Sequence, residues 1–230
     1  HEWGVESIRF LIEHGADLEA RDQRGNTALV LACQRGVDSA APIVNLLICS
    51  GARIDATGAN GMTPLMNAAI YDPTADVVKT LLEASANVAT RDKGGWTALM
   101  HATRRREENG QIVRLLIAAG SEVNATHHHG GTALSSAAYN GHASTAQRLI
   151  DAGAQVNQAD QAGWTPLTCS SLNGHLTIVR LLIRSGANVR ARDRLGRTAL
   201  TLAELGQHRS TAQLLIDAAA HPQPGGGNSK

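Results

Sequence analysis

A segment of fixed length recurs six times along this 230-residue chain. Each copy places two small residues ten positions apart, and the second of each pair is Gly25, Gly61, Gly95, Gly130, Gly163 or Gly196. Successive copies are 33 to 36 residues apart, and the variation in length falls outside the ten-residue segment. Self-similarity at such a period is typical of stacked repeats rather than of a domain with one central core.

Each copy carries the signals of two helices. A Thr lies two residues after the second Gly, where its hydroxyl can cap a helix: Thr27, Thr63, Thr97, Thr132, Thr165 and Thr198. Pro64 and Pro166 follow at the first helical position, where a missing N–H costs nothing. Leucine pairs such as Leu181-Leu182 indicate the buried face of a second helix, and Gly51, Gly120, Gly153 and Gly186 are predicted to end these helices as left-handed caps. We therefore expect a helix pair and a hairpin-like connector in every repeat.

The clearest copy begins at Asp160–Leu167 (D-Q-A-G-W-T-P-L) and continues through Gly174-His175, Leu181-Leu182 and Gly186-Ala187-Asn188-Val189. These residues resemble ankyrin repeats. The resemblance implies an all-α fold, an ankyrin-repeat solenoid of stacked helix-turn-helix units with hairpin-like connectors. The histidine of the family's T-P-L-H motif is absent, and its positions hold Val30, Met66, Met100, Ser135, Thr168 and Thr201. Gly58 and His127 replace the leading Asp of the connector, and Ser85 replaces a helix-ending Gly.

We expect one repeat domain over residues 1–218, with a partial repeat at 1–20 and full repeats starting near residues 22, 58, 92, 127, 160 and 193. The chain opens at His1 and the first repeat lacks its first helix, so we expect a fragment of a longer protein. Residues 219–230 are rich in Pro and Gly and are predicted to form a flexible tail.

Composition excludes several classes of protein. No apolar run approaches the ~18 residues that a membrane helix needs, and no signal peptide opens the chain. Cys33, Cys49 and Cys169 have neither disulfide nor zinc spacing and are interpreted as small apolar filler in helices. We therefore expect an intracellular protein, cytoplasmic or nuclear, with no membrane insertion and no cofactor.

Comparison of the six repeats with one another separates fixed positions from variable ones. Five positions vary in each repeat: the two before the connector Gly, the one after it, and the ninth and tenth after it. They hold four of the six aromatic residues and seven Arg or Lys, but no Asp or Glu. In similar proteins these positions line the concave face, so the resemblance implies a surface that is both apolar and cationic. Alternatively, each Trp covers a neighbouring connector and the basic residues are simply solvated.

We predict that this surface binds a segment of another protein that carries apolar and acidic residues. Exposed aromatic side chains would supply affinity, and Arg and Lys would steer and orient the ligand. The core of the predicted site is Tyr71, Trp96, Arg104, Arg105, Tyr139 and Trp164. Its remaining members are Met62, Arg35, Leu172 and Arg197.

A second surface is suggested by longer links between the two helices of three adjacent repeats. These links are Arg35–Pro42, Tyr71–Asp76 and Arg104–Gln111. Loop insertions often carry function, and they would form a ridge along one edge. Drift without selection explains them equally well.

Two groups of histidines invite a metal-site interpretation. The run His127–His129 lies in a connector, where consecutive side chains point in different directions and cannot all reach one ion, so we interpret it as a solvated turn in which His127 replaces Asp. His142, His175 and His208 recur at 33-residue steps in the links between helices. The resemblance implies that they make hydrogen bonds between repeats.

No catalytic motif accompanies the repeats: G-x-S-x-G, H-E-x-x-H and the P-loop lysine motif are all absent from the sequence. The prediction is a non-enzymatic scaffold or adaptor, monomeric by itself. Nucleic acid or another polyanion is the alternative ligand, because aromatic residues interleaved with Arg and Lys hold single strands. A net charge of +1 argues against it. The third hypothesis is that the chain is an architectural spacer within a larger protein or complex.

Overall fold

The computed structural model describes residues 3–34, 40–105 and 108–221. Every regular element in these ranges is helical, which confirms the predicted all-α class. The chain divides into two compact units, His1–Glu122 and Val123–Lys230.

The first unit is built from stacked helix pairs. Its α-helices are α1 (Trp3–Glu13), α2 (Ala28–Gln34), α3 (Ala40–Cys49), α4 (Pro64–Tyr71), α5 (Asp76–Glu83), α6 (Ala98–Thr103) and α7 (Gly110–Ala118), with a one-turn 3-10 helix at Ala59–Gly61. Each first helix packs on the first helix of the next repeat, α2 on α4 and α4 on α6. The second helices form a parallel row in which α1, α3, α5 and α7 follow one another. Both rows of helices therefore hold the successive repeats of this unit together.

The second unit repeats this arrangement three times. Its helices are α8 (Ala133–Asn140), α9 (Ala143–Asp151), α10 (Pro166–Leu172), α11 (Leu176–Arg184), α12 (Ala199–Leu205) and α13 (Arg209–Ala220). Helix α10 packs between α8 and α12, and α11 packs between α9 and α13. The second unit is thus a row of three first helices backed by a row of three second helices.

Threonine caps begin the first helices, as the sequence predicts. The Oγ1 atom of Thr97 accepts a hydrogen bond from the N–H of Met100 at 3.4 Å. Where the T-P-L-H histidine is replaced by Ser or Thr, a reciprocal bond appears: Oγ1 of Thr168 accepts from the N–H of Thr165 at 2.8 Å. Ser135 and Thr201 make the equivalent bond to Thr132 and Thr198. Hydroxyl groups therefore satisfy helix starts that lack the family's histidine.

The core consists of leucines and alanines between the two rows of helices. One leucine of every second helix after α1 is at most 2% exposed: Leu47, Leu81, Leu116, Leu149, Leu182 and Leu215. The first helices also bury one leucine each at Leu29, Leu65, Leu99, Leu134 and Leu167. Leu200 is only half-buried, because α12 has a first-helix neighbour on one side alone within the described residues.

The connectors pack against one another through their backbones. The N–H of Arg194 donates to the carbonyl of Ala162 in the preceding connector at 3.0 Å. A Cβ on Gly163 would lie 2.9 Å from the Cα of Asp193, and the backbone there has a φ of 83°. Only glycine fits at this position, because any side chain would meet the next connector.

Left-handed residues end the second helices, as predicted for the recurring glycines. Gly51 has a φ of 95°, and Gly120, Gly153 and Gly186 have values between 85° and 88°. Ser85 occupies the equivalent position with a φ of 66°. A side chain in this region crowds the following carbonyl, so Ser85 holds backbone strain that the glycines avoid.

The links between helices are shorter than the sequence suggests. Ala40, Ala41 and Pro42 belong to α3, and Gly110 and Gln111 belong to α7, although all five were expected in links. Pro42 is tolerated because the first turn of a helix does not need its N–H. The remainder of the first link, including Arg35, lies outside the described residues, as do Arg106 and Glu107.

Asp72 organises the link between α4 and α5. Its Oδ1 atom accepts hydrogen bonds from the N–H groups of Thr74 and Ala75, and its Oδ2 atom accepts one from Val78. The residue is 2% exposed. This carboxylate caps α5, since Ala75 at the N-cap position has no side-chain oxygen.

Two smaller expectations are wrong. Helix α13 extends to Ala220, two residues into the segment predicted as a tail, and residues 222–230 lie outside the described residues. Cys33 and Cys169 are buried filler as expected, but Cys49 is exposed on α3. Burial raises the pKa of the Cys169 thiol to about 12, so this thiol is not a reactive one.

We expect Ser85→Gly to stabilise the protein by about 1 kcal/mol, because glycine removes the left-handed strain. The free energy of unfolding in urea measures the change. Ser185 is the matched control, since it also ends a second helix but has a φ of −88°. Ser185→Gly should lower stability slightly, and equal effects of the two substitutions would contradict the argument.

Candidate functional site

The ten residues of the predicted site are divided between the two units. Met62, Tyr71, Trp96, Arg104 and Arg105 belong to the first unit, as does Arg35, which lies outside the described residues. Tyr139, Trp164, Leu172 and Arg197 belong to the second. The described members lie in connectors or at the ends of first helices, so each unit presents its own group of side chains.

Trp96 is held in place by the connector of its repeat. Oδ1 of Asp92 accepts hydrogen bonds from the N–H groups of Gly94 and Trp96 at 2.8 and 2.9 Å. The indole lies over this turn, because a Cβ on Gly94 would be 2.9 Å from its Cδ1 atom. The side chain is therefore half-buried: one face covers its own connector, not a neighbouring one as in the alternative interpretation, and part of the ring remains accessible.

Arg104 completes the surface around Trp96. It lies at the end of α6, and its guanidinium carbon is 4.6 Å from the centre of the indole ring. This distance is within the range of a cation–π interaction. Arg104 itself is exposed, so the pair offers an aromatic edge and a positive charge on one surface.

His101 lies behind Trp96 and was missed by the sequence analysis. Its Nε2 atom is 2.9 Å from Oδ2 of Asp92, and its ring centre is 5.7 Å from that of Trp96. The side chain is 4% exposed, and its Nδ1 atom has no hydrogen-bond partner among the described residues. Asp92 thus binds the connector with one oxygen and α6 with the other.

The protonation state of His101 follows from its burial. Burial lowers the pKa of the imidazole below the ordinary histidine value, and the positive charge of Arg104 adds to this effect. The hydrogen bond to Asp92 acts in the opposite direction but does not overcome it. The ring is therefore neutral near pH 7, with Nε2–H donated to the carboxylate.

A comparison of the repeats could have found His101. The equivalent positions hold Leu31, Asn67, Ser136, Cys169 and Leu202. Asn67, Cys169 and Leu202 are buried, Ser136 is half-buried and Leu31 is exposed. A histidine nine residues after a connector Asp at such a position indicates a buried pair. The sequence alone does not show that an indole lies beside it.

The other predicted members of the first unit have mixed roles. Nη1 of Arg105 donates to the carbonyl of Asp72 at 2.6 Å, and the residue is half-buried, so this guanidinium ties two links together. The carbonyl of Met62 accepts from the N–H of Gly58, and its side chain is half-buried. Tyr71 ends α4 and is 47% exposed. Arg105 is thus less available to a ligand than Arg104.

In the second unit Trp164 and Arg197 are brought together. Asp160 holds the Trp164 connector as Asp92 holds that of Trp96, with N–H bonds of 2.8 Å from Ala162 and Trp164. The guanidinium carbon of Arg197 is 5.5 Å from the Trp164 ring centre. Its Nε atom also donates to Oδ2 of the buried Asp193 at 2.7 Å. Arg197 is therefore partly neutralised by its own connector.

Exposed apolar side chains are concentrated at the variable positions of the second unit. Tyr139 is 52% exposed and Leu172 is half-buried. Leu195 and Leu205 are 76% and 67% exposed, although neither was among the predicted site residues. Both occupy variable positions, but their aliphatic side chains gave no reason to prefer them over aromatic ones.

The run of histidines is a connector turn. Nδ1 of His127 accepts a hydrogen bond from the N–H of His129 at 3.1 Å, which is the role that Asp plays in other repeats. The carbonyl of His128 accepts from Nε2 of Gln161 in the next connector. Within the described ranges, no three His, Cys, Asp or Glu side chains are grouped as metal ligands would be.

The row of link histidines has its predicted structural role in two of three cases. Nε2 of His175 lies 3.0 Å from the carbonyl oxygen of Tyr139, and Nε2 of His208 lies 3.0 Å from that of Leu172. His142 is buried at the start of α9.

None of the helices in the described part of the chain combines the length and apolar character needed to cross a bilayer.

Comparisons with known proteins agree with the fold. The family model for ankyrin repeats (three copies) matches residues 37–127, 105–193 and 134–224. Ankyrin repeat protein OPG189 of variola virus is 37% identical over 94 residues, which are 40% of this chain and 16% of that protein. The B-cell lymphoma 3 protein homolog of Mus musculus is 31% identical over 136 residues, 58% of this chain and 30% of that protein.

A plant relative has a name that includes an enzymatic activity. The putative E3 ubiquitin-protein ligase XBAT34 of Arabidopsis thaliana is 37% identical over 114 residues, 49% of this chain and 29% of that protein. The chain thus spans less than a third of the length of each of these three relatives.

The buried imidazole predicts a pH dependence. Because the folded state lowers the pKa of His101, the unfolded chain binds a proton that the folded protein excludes. Stability contributed in this way is present above the ordinary histidine pKa of about 6.5 and is lost as the pH falls below it. We expect His101→Gln to lose less stability than the wild type between about pH 7.5 and about pH 5.5.

Urea unfolding at the two pH values measures this difference. His129→Gln is the control, because that imidazole is exposed in a connector, and it should keep the wild-type dependence. An unchanged dependence in His101→Gln would show that the buried ring does not titrate as described.

Proposed function

This chain belongs to the ankyrin repeat family, and from that premise we propose that it is a non-enzymatic scaffold or adaptor that binds a segment of a partner protein. Ankyrin repeats are generally protein–protein interaction modules. The proposed ligand carries apolar side chains for the exposed aromatic residues and acidic side chains for the arginines.

The observation that carries this proposal is the pairing of Trp96 with Arg104. A half-buried indole fixed by its connector, with an exposed guanidinium 4.6 Å from its centre, is a preorganised contact that loses little entropy on binding. Trp and Arg are the residues most enriched among binding hot spots. Trp164 with Arg197 is a weaker second pair, since Asp193 already binds that arginine.

A non-enzymatic role is supported by the state of the buried polar groups. The His101–Asp92 pair is enclosed, with side chains that are 4% and 9% exposed. The second carboxylate oxygen already accepts two backbone N–H groups. A substrate cannot reach this pair, so we assign it to the support of Trp96.

We further propose that the protein acts inside the cell, in the cytoplasm or nucleus, and that it is monomeric by itself. The buried thiols of Cys33 and Cys169 fit a reducing compartment. Single-stranded nucleic acid is the alternative ligand, and the same Trp96–Arg104 pair could stack on a base. A net charge of +1 makes a protein segment the better candidate.

We expect Trp96→Ala combined with Trp164→Ala to abolish partner capture. Crosslinking of the biotinylated chain in a cell extract, with quantitative mass spectrometry, identifies the partner, and titration of its purified segment gives the affinity. Each truncation should weaken binding about 30-fold, which corresponds to about 2 kcal/mol. Raising the salt from about 50 to about 500 mM should weaken binding further, because exposed charges are screened.

Phe10→Ala is the matched control, since Phe10 is an aromatic residue that is 58% exposed on α1 and outside the variable positions. It should leave the affinity unchanged. If the double variant binds as tightly as the wild type, the proposed site is wrong. If labelled single-stranded RNA binds with a steep salt dependence and no protein segment binds, the nucleic-acid alternative replaces the proposal.

A further inference from the structure

Three large apolar side chains of the second unit, two of them exposed, occupy one equivalent position in consecutive repeats. Tyr139, Leu172 and Leu205 are separated by 33 residues each and lie at the ends of α8, α10 and α12. Tyr139 and Leu205 are 52% and 67% exposed, and Leu172 is half-buried between them in the series. We call this set the apolar ladder, and each of its three side chains a rung.

Hydrogen bonds from the following repeat fix the rungs of the apolar ladder. The carbonyl of Tyr139 accepts a bond from Nδ2 of Asn173 at 3.1 Å, and the imidazole of His175 binds the same carbonyl. His208 binds the carbonyl of Leu172 in the same way. The spacing of the rungs is therefore set by the stacking of the repeats rather than by mobile loops.

The apolar character of the ladder is not a requirement of the fold. The equivalent positions of the first unit hold Gln34, Ile70 and Arg104, of which only one is apolar. A repeat therefore stacks equally well with a polar side chain there. Three large apolar groups in succession, two of them more than half exposed, point to a ligand.

The spacing of the rungs selects the conformation of that ligand. Neighbouring packed helices lie about 8–10 Å apart, so adjacent rungs are about 10 Å apart. A β-strand presents side chains on one face every ~7 Å, which does not match. A polyproline II segment has three residues per turn and rises about 3.1 Å per residue, so residues i, i+3 and i+6 share a face about 9 Å apart.

An α-helix could also meet the rungs with residues about seven apart, since seven residues rise about 10 Å. Three anchors would then need a helix of about 15 residues, a length that is only marginally stable in isolation. A polyproline II segment needs about seven residues for the same three anchors, and its conformation is already populated in free chains. The shorter ligand loses less conformational entropy for the same contacts.

The charged residues of the last repeat, which contributes Leu205, give the ligand a direction. Arg194 is exposed in the connector that precedes α12, and the variable positions of this unit hold no Asp or Glu. Glu204 is exposed beside Leu205, so an anion at that end of α12 would be repelled. An acidic residue of the ligand is therefore favoured toward the connector and disfavoured at the rung itself.

We propose that the apolar ladder binds a polyproline II segment of a partner protein, with apolar side chains at i, i+3 and i+6 on Tyr139, Leu172 and Leu205 and an acidic residue toward Arg194. This inference rests on the proposed function and names the ligand class for the second unit.

Selection from a displayed library of random nine-residue peptides on the immobilised full chain tests the inference. Enriched peptides should carry three apolar residues at intervals of three, and their affinities are measured by fluorescence anisotropy with labelled synthetic peptides. Tyr139→Ser and Leu205→Ser should each weaken binding about tenfold. Ile216→Ser is the control, because Ile216 is 45% exposed on α13 and outside the ladder, and it should change the affinity less than twofold.

The outcomes separate the ladder from the proposed function. Enrichment of another spacing overturns the inference. So does enrichment of helical ligands in a library of peptides of about 20 residues, which is long enough for three helical anchors. So does binding that survives Tyr139→Ser and Leu205→Ser but is lost in Trp96→Ala, although this result leaves the proposed function intact. If no peptide is enriched, the inference fails, and the crosslinking experiment then decides the proposed function separately.

Discussion

Successive connectors are joined by hydrogen bonds, three of which link backbone atoms, and the placement of the exposed side chains depends on these bonds. The N–H of Lys93 donates to the carbonyl of Asn60 at 2.9 Å, and Gln161 and Arg194 make the same bond to the connectors before them. Because these three bonds use main-chain atoms, they do not depend on the side chains at the variable positions. The exception is the first pair of connectors, where the N–H of Ala59 donates to Oδ1 of Asn26 at 2.9 Å. The scaffold can therefore carry an indole, a guanidinium or a glycine at these positions without change in the spacing of the repeats.

Much of this arrangement could be predicted from the sequence because it follows local rules. Thr caps, Pro at the first helical position and left-handed Gly each depend on a few neighbouring residues, and all three appear where the pattern places them. Ser85 shows the limit of the pattern, since a residue that costs energy in this conformation is nevertheless tolerated there. The position of α3 was less predictable, because Pro42 is as common in links as in a first helical turn.

The availability of charged side chains could not be predicted, because it depends on contacts between residues far apart in sequence. Arg104 and Arg105 are adjacent, yet one lies over Trp96 and the other binds the carbonyl of Asp72, 33 residues away. Arg197 is likewise bound by Asp193. A count of basic residues on the variable positions therefore overstates the charge that a ligand meets. His101 escaped detection for the same reason, since its significance lies in what surrounds it.

Asp72 allows the link between α4 and α5 to vary. Its carboxylate accepts from three N–H groups of the residues that follow, so one side chain closes the turn. The tip adds a carbonyl of Pro73 that accepts from Nδ2 of Asn109 at 3.3 Å, a backbone contact that another residue at this position can also make. Pro73 and Thr74 are exposed at that tip. This turn is consequently a suitable place to graft a foreign epitope or a fluorophore attachment point, as long as the carboxylate is retained and the graft leaves the start of α5 in register.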